Sequence, residues 1–250
     1  MIYVCIPTHN EATTIGVLLW KTRKVLGAFG RDYRVVVQDD ASTDDTAEVL
    51  QRYRRSLPLT ILRSDRRLGY GRSVEKLLRH VRDEAPYPKR DCAIVMQGDF
   101  TESPDDLIGL IKVFEGGADI VAGAVSRDGA PQAKGMRVAR WAAKTLLRRT
   151  VAAAPVSDPL VGLRAYRVIV LKKAFRDRGE DDPLIHSDGW AANVELLSRL
   201  APHARRIAET PLELRYDLQT RQSRFKPWKT FLDLARLPGS LWTTPGPETA

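Results

Sequence analysis

Polar and apolar positions along the first half of the chain fall into alternating blocks. Short apolar runs are each followed by an Asp- or Gly-rich stretch and then by a longer segment with helical spacing. The runs Ile2-Tyr3-Val4-Cys5-Ile6, Tyr33-Arg34-Val35-Val36-Val37, Leu59-Thr60-Ile61-Leu62, Ala93-Ile94-Val95-Met96 and Asp119-Ile120-Val121-Ala122-Gly123 read as strands. Between them, Ile15, Leu18, Leu19, Val25 and Leu26 trace one apolar helix face, and Val74, Leu77, Leu78 and Val81 another. A third helix is expected from Pro104 to Phe114. Asn10 or Thr13 is expected to cap the first helix, and Gly27 and Gly30 to stop it. Ser42 and Asp45 have the spacing of a capping box for a helix running to about Arg55.

Strand–helix alternation over the first ~125 residues predicts an α/β fold, a mostly parallel sheet flanked by helices on both faces. Beyond residue 124 the pattern is less regular. A polar loop, Ser126 to Lys134, leads into a basic amphipathic helix from about Gly135 to Arg149. Further helices are expected around Leu171 and Phe175, and through Val194, Leu197 and Leu200 after Ser187-Asp188-Gly189-Trp190. Arg206–Glu209 and Leu212–Tyr216 read as two short strands. We divide the chain into one domain, 1–220, with halves 1–124 and 125–220, and a basic, aromatic C-terminal segment, 221–250, whose end is expected to fray.

Composition narrows the class. No apolar run reaches the ~18 residues of a membrane span, and the first residues enter a core strand directly, so a soluble or surface-bound protein is expected. Cys5 and Cys92 sit in apolar runs and read as buried thiols of a reducing, cytoplasmic compartment. The net charge of +9 favours anionic partners. Basic residues are scattered over helix faces, with no zinc spacing, so nucleic acid is not the expected partner.

The chemistry concentrates where strands end. Asp99 follows the central run Ala93–Met96 through Gln97-Gly98, at the sheet edge where open α/β folds bind ligands. A single carboxylate beside bound phosphates is a common way to hold Mg²⁺ or Mn²⁺. The bland alternative makes Asp99 a cap for the helix opened by Ser103-Pro104. Asn10/Glu11 and Asp39/Asp40 lie at two further strand ends, and such clustered acids are costly unless a cation or donor-rich ligand joins them. The phosphate fingerprint G-x-G-x-x-G is absent, which argues against a dinucleotide fold.

Pro7-Thr8-His9-Asn10-Glu11, Asp39-Asp40-Ala41-Ser42-Thr43-Asp44-Asp45-Thr46 and Leu68-Gly69-Tyr70-Gly71 together resemble the start of an inverting family 2 glycosyltransferase of GT-A fold. The dolichol- and polyprenol-phosphate mannosyl- or glucosyltransferases are the most similar branch. Gln97-Gly98-Asp99, Ser126-Arg127, Arg137 with Arg140, Ser157-Asp158-Pro159, Gly162 to Tyr166, Asp188-Gly189-Trp190 with Glu195, and Glu209-Thr210-Pro211 continue the match in order, over about residues 1–226. The resemblance implies transfer of mannose or glucose from a GDP- or UDP-sugar to a polyprenyl phosphate, peripherally at the inner face of a membrane. It implies that Pro7, His9, Glu11, Asp39, Asp40, Gln97 and Gly98 bind the nucleotide sugar, Asp39 reading the base. A divalent metal would be held by Asp99 with Thr101 or Glu102, and Arg127, Arg137 and Arg140 would face the lipid phosphate. Arg164, Ser223 and Arg224 would bind the acceptor.

Three departures qualify that expectation. Gln97 stands where the family's D-x-D has its first Asp, so the metal is expected to bind less tightly. His9 replaces the more usual aromatic, and Val161-Gly162-Leu163 replaces Ser-Gly-Phe. In the tail, Phe225, Trp228, Phe231, Leu232, Leu234, Leu237 and Trp242 among basic residues fit either an interfacial helix or a helix packed on the domain. Two alternatives of function remain: a soluble acceptor, with Asp158 or Asp188 as base, and a catalytically silent nucleotide-sugar binder.

Overall fold

The computed structural model describes residues 1–125, 156–179 and 181–212, with Leu232, Leu234 and Leu237. The chain opens with β1 (Ile2–Thr8), α1 (Ile15–Phe29), β2 (Tyr33–Asp39), α2 (Thr46–Tyr53), β3 (Leu59–Arg63), α3 (Tyr70–Glu84) and β4 (Cys92–Val95). A 3-10 turn, Pro104–Asp106, leads into α4 (Leu107–Glu115) and β5 (Ile120–Val125). Then come β6 (Arg164–Arg167), α5 (Val168–Ala174), α6 (Gly189–Leu200) and β7 (Ile207–Leu212). Among the described residues the strands form one sheet in the order β3-β2-β1-β4-β6-β5-β7. β1 to β4 are parallel, β6 runs antiparallel to both β4 and β5, and β7 is parallel to β5.

Period-two alternation along the strands feeds two separate cores. Val4, Ile6, Val35, Val37 and Ile94 pack against Ile15, Leu18, Leu19, Leu50, Leu110 and Ile111 of α1, α2 and α4. Tyr3, Cys5, Val36, Ala93 and Val95 face the opposite layer, made by Val74, Leu77, Leu78, Leu171, Leu196 and Leu197 of α3, α5 and α6. Helices therefore cover both faces, as the alternation predicts. Cys5 and Cys92 are free and fully buried, and burial pushes both thiols far up. Among the described residues no helix is long and apolar enough to cross a membrane.

Several local expectations are corrected. α1 begins after Thr14 with no side-chain cap, because Asn10 lies in the left-handed region (φ 54°) and its Oδ1 accepts from the Thr43 N–H instead. Gly27 is inside the helix, and Gly30, at φ 75°, ends it. The Ser42–Asp45 capping box does not form: Ser42 Oγ accepts from Asn10 N–H, while the Ser42 N–H donates to Asp39. Asp44 takes the Thr46 N–H at the head of α2. The first of the two strands expected around Pro211 does not stop at Glu209: β7 runs on through Pro211 to Leu212, the last residue described there. Its edge position tolerates a proline that has no N–H to donate. The expected helix 135–149 lies outside the described residues, as do residues 213–216.

Candidate active site

The order β2-β1-β4 brings three parallel carboxyl ends side by side, so the segments after them share one edge. Hydrogen bonds stitch these segments together. Asp40 N–H donates to the Thr8 carbonyl (2.9 Å), His9 Nδ1 meets the Asp40 carbonyl (2.8 Å), and Thr14 Oγ1 donates to the Gly98 carbonyl (3.1 Å). Gly98 lets the segments approach closely: a Cβ would stand 3.2 Å from the Pro7 carbonyl oxygen, a tight contact. The sharp turn after β4 is made by Phe100, whose φ is 65°, and not by Gly98. Asp99 is half-buried on that turn, its Oδ1 accepting from the Thr101 N–H (3.0 Å) and Oγ1 (2.7 Å). Capping of the following 3-10 turn falls to Ser103, whose Oγ accepts from Asp105 N–H, and not to Asp99.

The acids expected to cluster without partners are in large part paired. Asp40 spends both oxygens on the Leu68 and Gly69 N–H groups, which fixes the loop entering α3. Glu11 is buried and accepts from Thr14 Oγ1. Asp39 differs. One oxygen takes the Ser42 N–H, whereas Oδ2, on a side chain 1% exposed, has no hydrogen-bond partner among the described residues and lies 3.7 Å from the Arg63 Nε. A buried acceptor left open at a strand end is a place for an incoming N–H or hydroxyl.

Glu102 points inward. It is 1% exposed and accepts from the Gln97 and Leu163 N–H groups, so it ties the Asp99 turn to the segment before β6. Burial, aided by the charge of Asp99, raises its carboxyl to about 8. Gly162 lies in the same contact: a Cβ there would be 3.0 Å from Tyr70 Oη and 3.3 Å from both Gln97 Nε2 and Glu102 Oε1. Tyr70 Oη donates to Asn193, whose own amide donates to the Leu160 carbonyl. Arg164 is fully buried on β6 and donates to the carbonyls of Asn193 and Pro159, bracing this framework from beneath.

Of the residues implied by the sequence, Pro7, His9, Glu11, Asp39, Asp40, Gln97, Gly98, Asp99, Thr101 and Glu102 are thus brought to one edge. Arg127, Arg137, Arg140, Ser223 and Arg224 lie outside the described residues. Among the described residues no group of three or more His, Cys, Asp or Glu is arranged to hold a metal by itself. What the crevice offers is Asp99, a donor set suited to a cation that keeps waters and shares phosphate oxygens. Thr101 and Glu102 support its turn.

The profile of glycosyl transferase family 2 matches residues 3–175. The chain belongs to this family. As a family 2 glycosyltransferase it is 26% identical over 212 residues to an undecaprenyl-phosphate 4-deoxy-4-formamido-L-arabinose transferase of Edwardsiella ictaluri, covering 84% of this chain and 58% of that one. It is 29% identical over 138 residues to the dolichol-phosphate mannosyltransferase of Pyrococcus furiosus, covering 55% and 35%. The chain therefore spans little more than half of the first of these relatives. In structure it is similar to glucosyl-3-phosphoglycerate synthase of Mycobacterium tuberculosis in complex with Mn²⁺, UDP-glucose and phosphoglyceric acid, at a TM-score of 0.65 and 20% identity over 97% of this chain and 79% of that one. Staphylococcus aureus TarS with UDP gives 0.56 and 18% over 94% and 69%. At these identities the likeness establishes the GT-A fold.

Two functional features escape a reading of the sequence. Asn193, which meets Tyr70 of the Leu68–Gly71 motif across the crevice, carries no motif signal of its own. Glu75 of α3, 2% exposed, does carry one: it is an acid on the apolar face of an amphipathic helix, next to Val74 and three residues before Leu78.

Proposed function

We propose that this glycosyltransferase moves a hexose, with inversion, from a UDP- or GDP-sugar to a polyprenyl phosphate at the cytoplasmic face of a membrane. The open buried oxygen of Asp39 is the observation that carries the donor half. It sits at the end of β2, beside the segment that bears His9, and a base N–H or ribose hydroxyl would satisfy it. Asp99, across β1, is the residue that would hold a divalent metal beside the diphosphate. When bound, that ion supplies charge neutralisation of the departing nucleoside diphosphate. The names of the relatives support the acceptor: both act with polyprenyl phosphates. Such an acceptor is already anionic, so orientation and charge screening suffice and no strong general base is required. The arginines at 127, 137 and 140 are assigned that screening, in bidentate contact with phosphate.

A second reading, a soluble hydroxyl acceptor, is favoured by Asp188, an exposed carboxylate at the head of α6 beside the Gly69–Gly71 loop. A hydroxyl nucleophile needs a base, and Asp188 is available for that role.

The test is thermal shift with UDP, GDP, UDP-glucose and GDP-mannose, each with and without Mn²⁺, followed by transfer assays on polyprenyl phosphate. A ligand bound only by the native state raises the melting temperature by mass action. We expect a Mn²⁺-dependent shift with one nucleotide, abolished by Asp99→Asn, and label transfer to the lipid. Absence of any shift overturns the donor assignment. A shift without turnover on any acceptor leaves a nucleotide-sugar binder.

A further inference from the structure

The segment leading to Asp188 is held in an unusual way. Four consecutive backbone N–H groups, those of residues 184–187, donate to two buried carboxylates. Leu184 and Ile185 donate to Glu75 Oε1 and Oε2, at 3.1 and 2.9 Å. His186 and Ser187 both donate to Glu195 Oε2, at 2.9 and 2.8 Å. Glu75 comes from α3 and Glu195 from α6; they are 2% and 0% exposed. Arg79 pairs with Glu75 at 2.8 Å and Arg72 at 3.5 Å, while Arg199 lies 3.7 Å from Glu195, so the two acids have cations at hand to offset their burial. Burying two carboxylates to fix one five-residue segment costs far more than an ordinary surface loop requires.

What the segment presents is Asp188. This residue stands at the N-cap of α6, yet its side chain makes no capping bond to that helix. It turns instead to α3, where Oδ1 accepts from Gly71 N–H at 3.1 Å. Its carboxylate would lie 3.1 Å from any Cβ at Gly69, whose φ is 90°. Gly69 is in turn tethered by Asp40 to the end of β2. On the other flank, Tyr70 reaches toward Gly162 and Gln97, next to Asp99. Asp188 thus stays exposed on the rim, flanked on one side by the Asp39 end of the crevice and on the other by the Asp99 end.

We propose that Glu75 and Glu195 are positioning residues that aim Asp188 at the sugar of the bound donor, where its carboxylate accepts hydrogen bonds from hexose hydroxyls. This rests on the nucleotide-sugar reading of the crevice but not on the identity of the acceptor. An ionised carboxylate is the strongest acceptor a protein can offer a hydroxyl, and it discriminates among sugars only if its position is fixed. Glutamine in place of Glu75 keeps one acceptor and sets an amide N–H₂ against the second backbone donor, whereas in place of Glu195 it leaves the one shared acceptor a neutral amide oxygen without its charge; in both the segment loosens while side-chain volume is preserved.

The experiment is binding by calorimetry of UDP, GDP, UDP-glucose and GDP-mannose, with Mn²⁺, to the wild type and to E75Q, E195Q and D188N. All three variants are expected to bind the nucleoside diphosphate within twofold of wild type and the matching nucleotide sugar at least fivefold more weakly. Amide exchange of residues 184–187 in the wild type provides a readout that needs no variant: the nucleotide sugar should slow it more than the diphosphate does. Should the variants bind donor as the wild type does, or lose diphosphate and donor equally, the positioning role is overturned and the donor reading stands. If the wild type binds neither nucleotide sugar, both are overturned together.

Discussion

Glu102 shows how burial decides the state of a carboxylate beside the Asp99 turn. Its ordinary value is 4.5, and burial raises it to about 8. The unfolded chain releases this proton as pH rises past about 4.5, while the folded protein holds it until about 8. Its contribution to stability is therefore complete below about pH 4.5 and declines by about 1.4 kcal/mol per pH unit until the folded group ionises. Glu102→Gln imitates the protonated acid and should remove that decline. We expect the melting temperature of the variant, relative to wild type, to rise from pH 5 toward pH 9, from a starting offset set by the acceptor that the amide gives up. Parallel profiles would show that Glu102 is ionised throughout. Because the protonated acid adds no charge beside Asp99, the same variant should keep the Mn²⁺-dependent nucleotide shift that Asp99→Asn loses.

Among the elements, α3 is where backbone propensity and packing oppose each other most sharply. Gly71 sits in the first turn, and replacing a helical glycine by alanine ordinarily gains roughly 0.5–1 kcal/mol. Here the new Cβ would stand 2.3 Å from the carbonyl oxygen of Ser187, a residue whose N–H is held by Glu195. Overpacking of this kind costs about 1–3 kcal/mol, so packing wins and Gly71→Ala should lower the denaturant midpoint. A raised midpoint would mean that residues 184–188 yield freely. Periodicity made α3 legible, as it did β1 to β4, because their apolar faces are complete. β6 was not legible: Arg164-Ala165-Tyr166-Arg167 has charged ends, and its central role depends on Arg164 being buried against main-chain carbonyls that no local pattern announces. Glu75 and Glu195 were illegible as a pair for the same reason, since the segment they bind is distant from Glu75 in sequence. Asp39, Asp40 and Asp99 were visible as strand-end acids. Which of them keeps an oxygen open depends on N–H groups at Ser42, Leu68 and Gly69 whose positions only the folded loops define.

For the molecule as a whole, the question is whether the C-terminal segment completes the fold or meets a membrane surface. Composition alone allows an interfacial helix or a packed one. Leu234 and Leu237 are buried against Leu160, Ala191 and Val194, whereas Leu232 is about half exposed. Their contact is with the opening turns of α6, directly after Asp188, so packing there also stabilises the rim of the crevice. Removing a buried leucine side chain costs about 2–5 kcal/mol. Leu234→Ala with Leu237→Ala should accordingly lower the melting temperature markedly and accelerate amide exchange in the first turns of α6. Co-sedimentation with anionic vesicles should stay at the wild-type level, since neither side chain is available to a bilayer while docked. An interfacial helix predicts the reverse pattern, with stability unchanged and vesicle binding reduced. The pair of measurements thus separates a segment that completes the fold from one that anchors it, and only the first lets the tail and the Asp188 rim respond together.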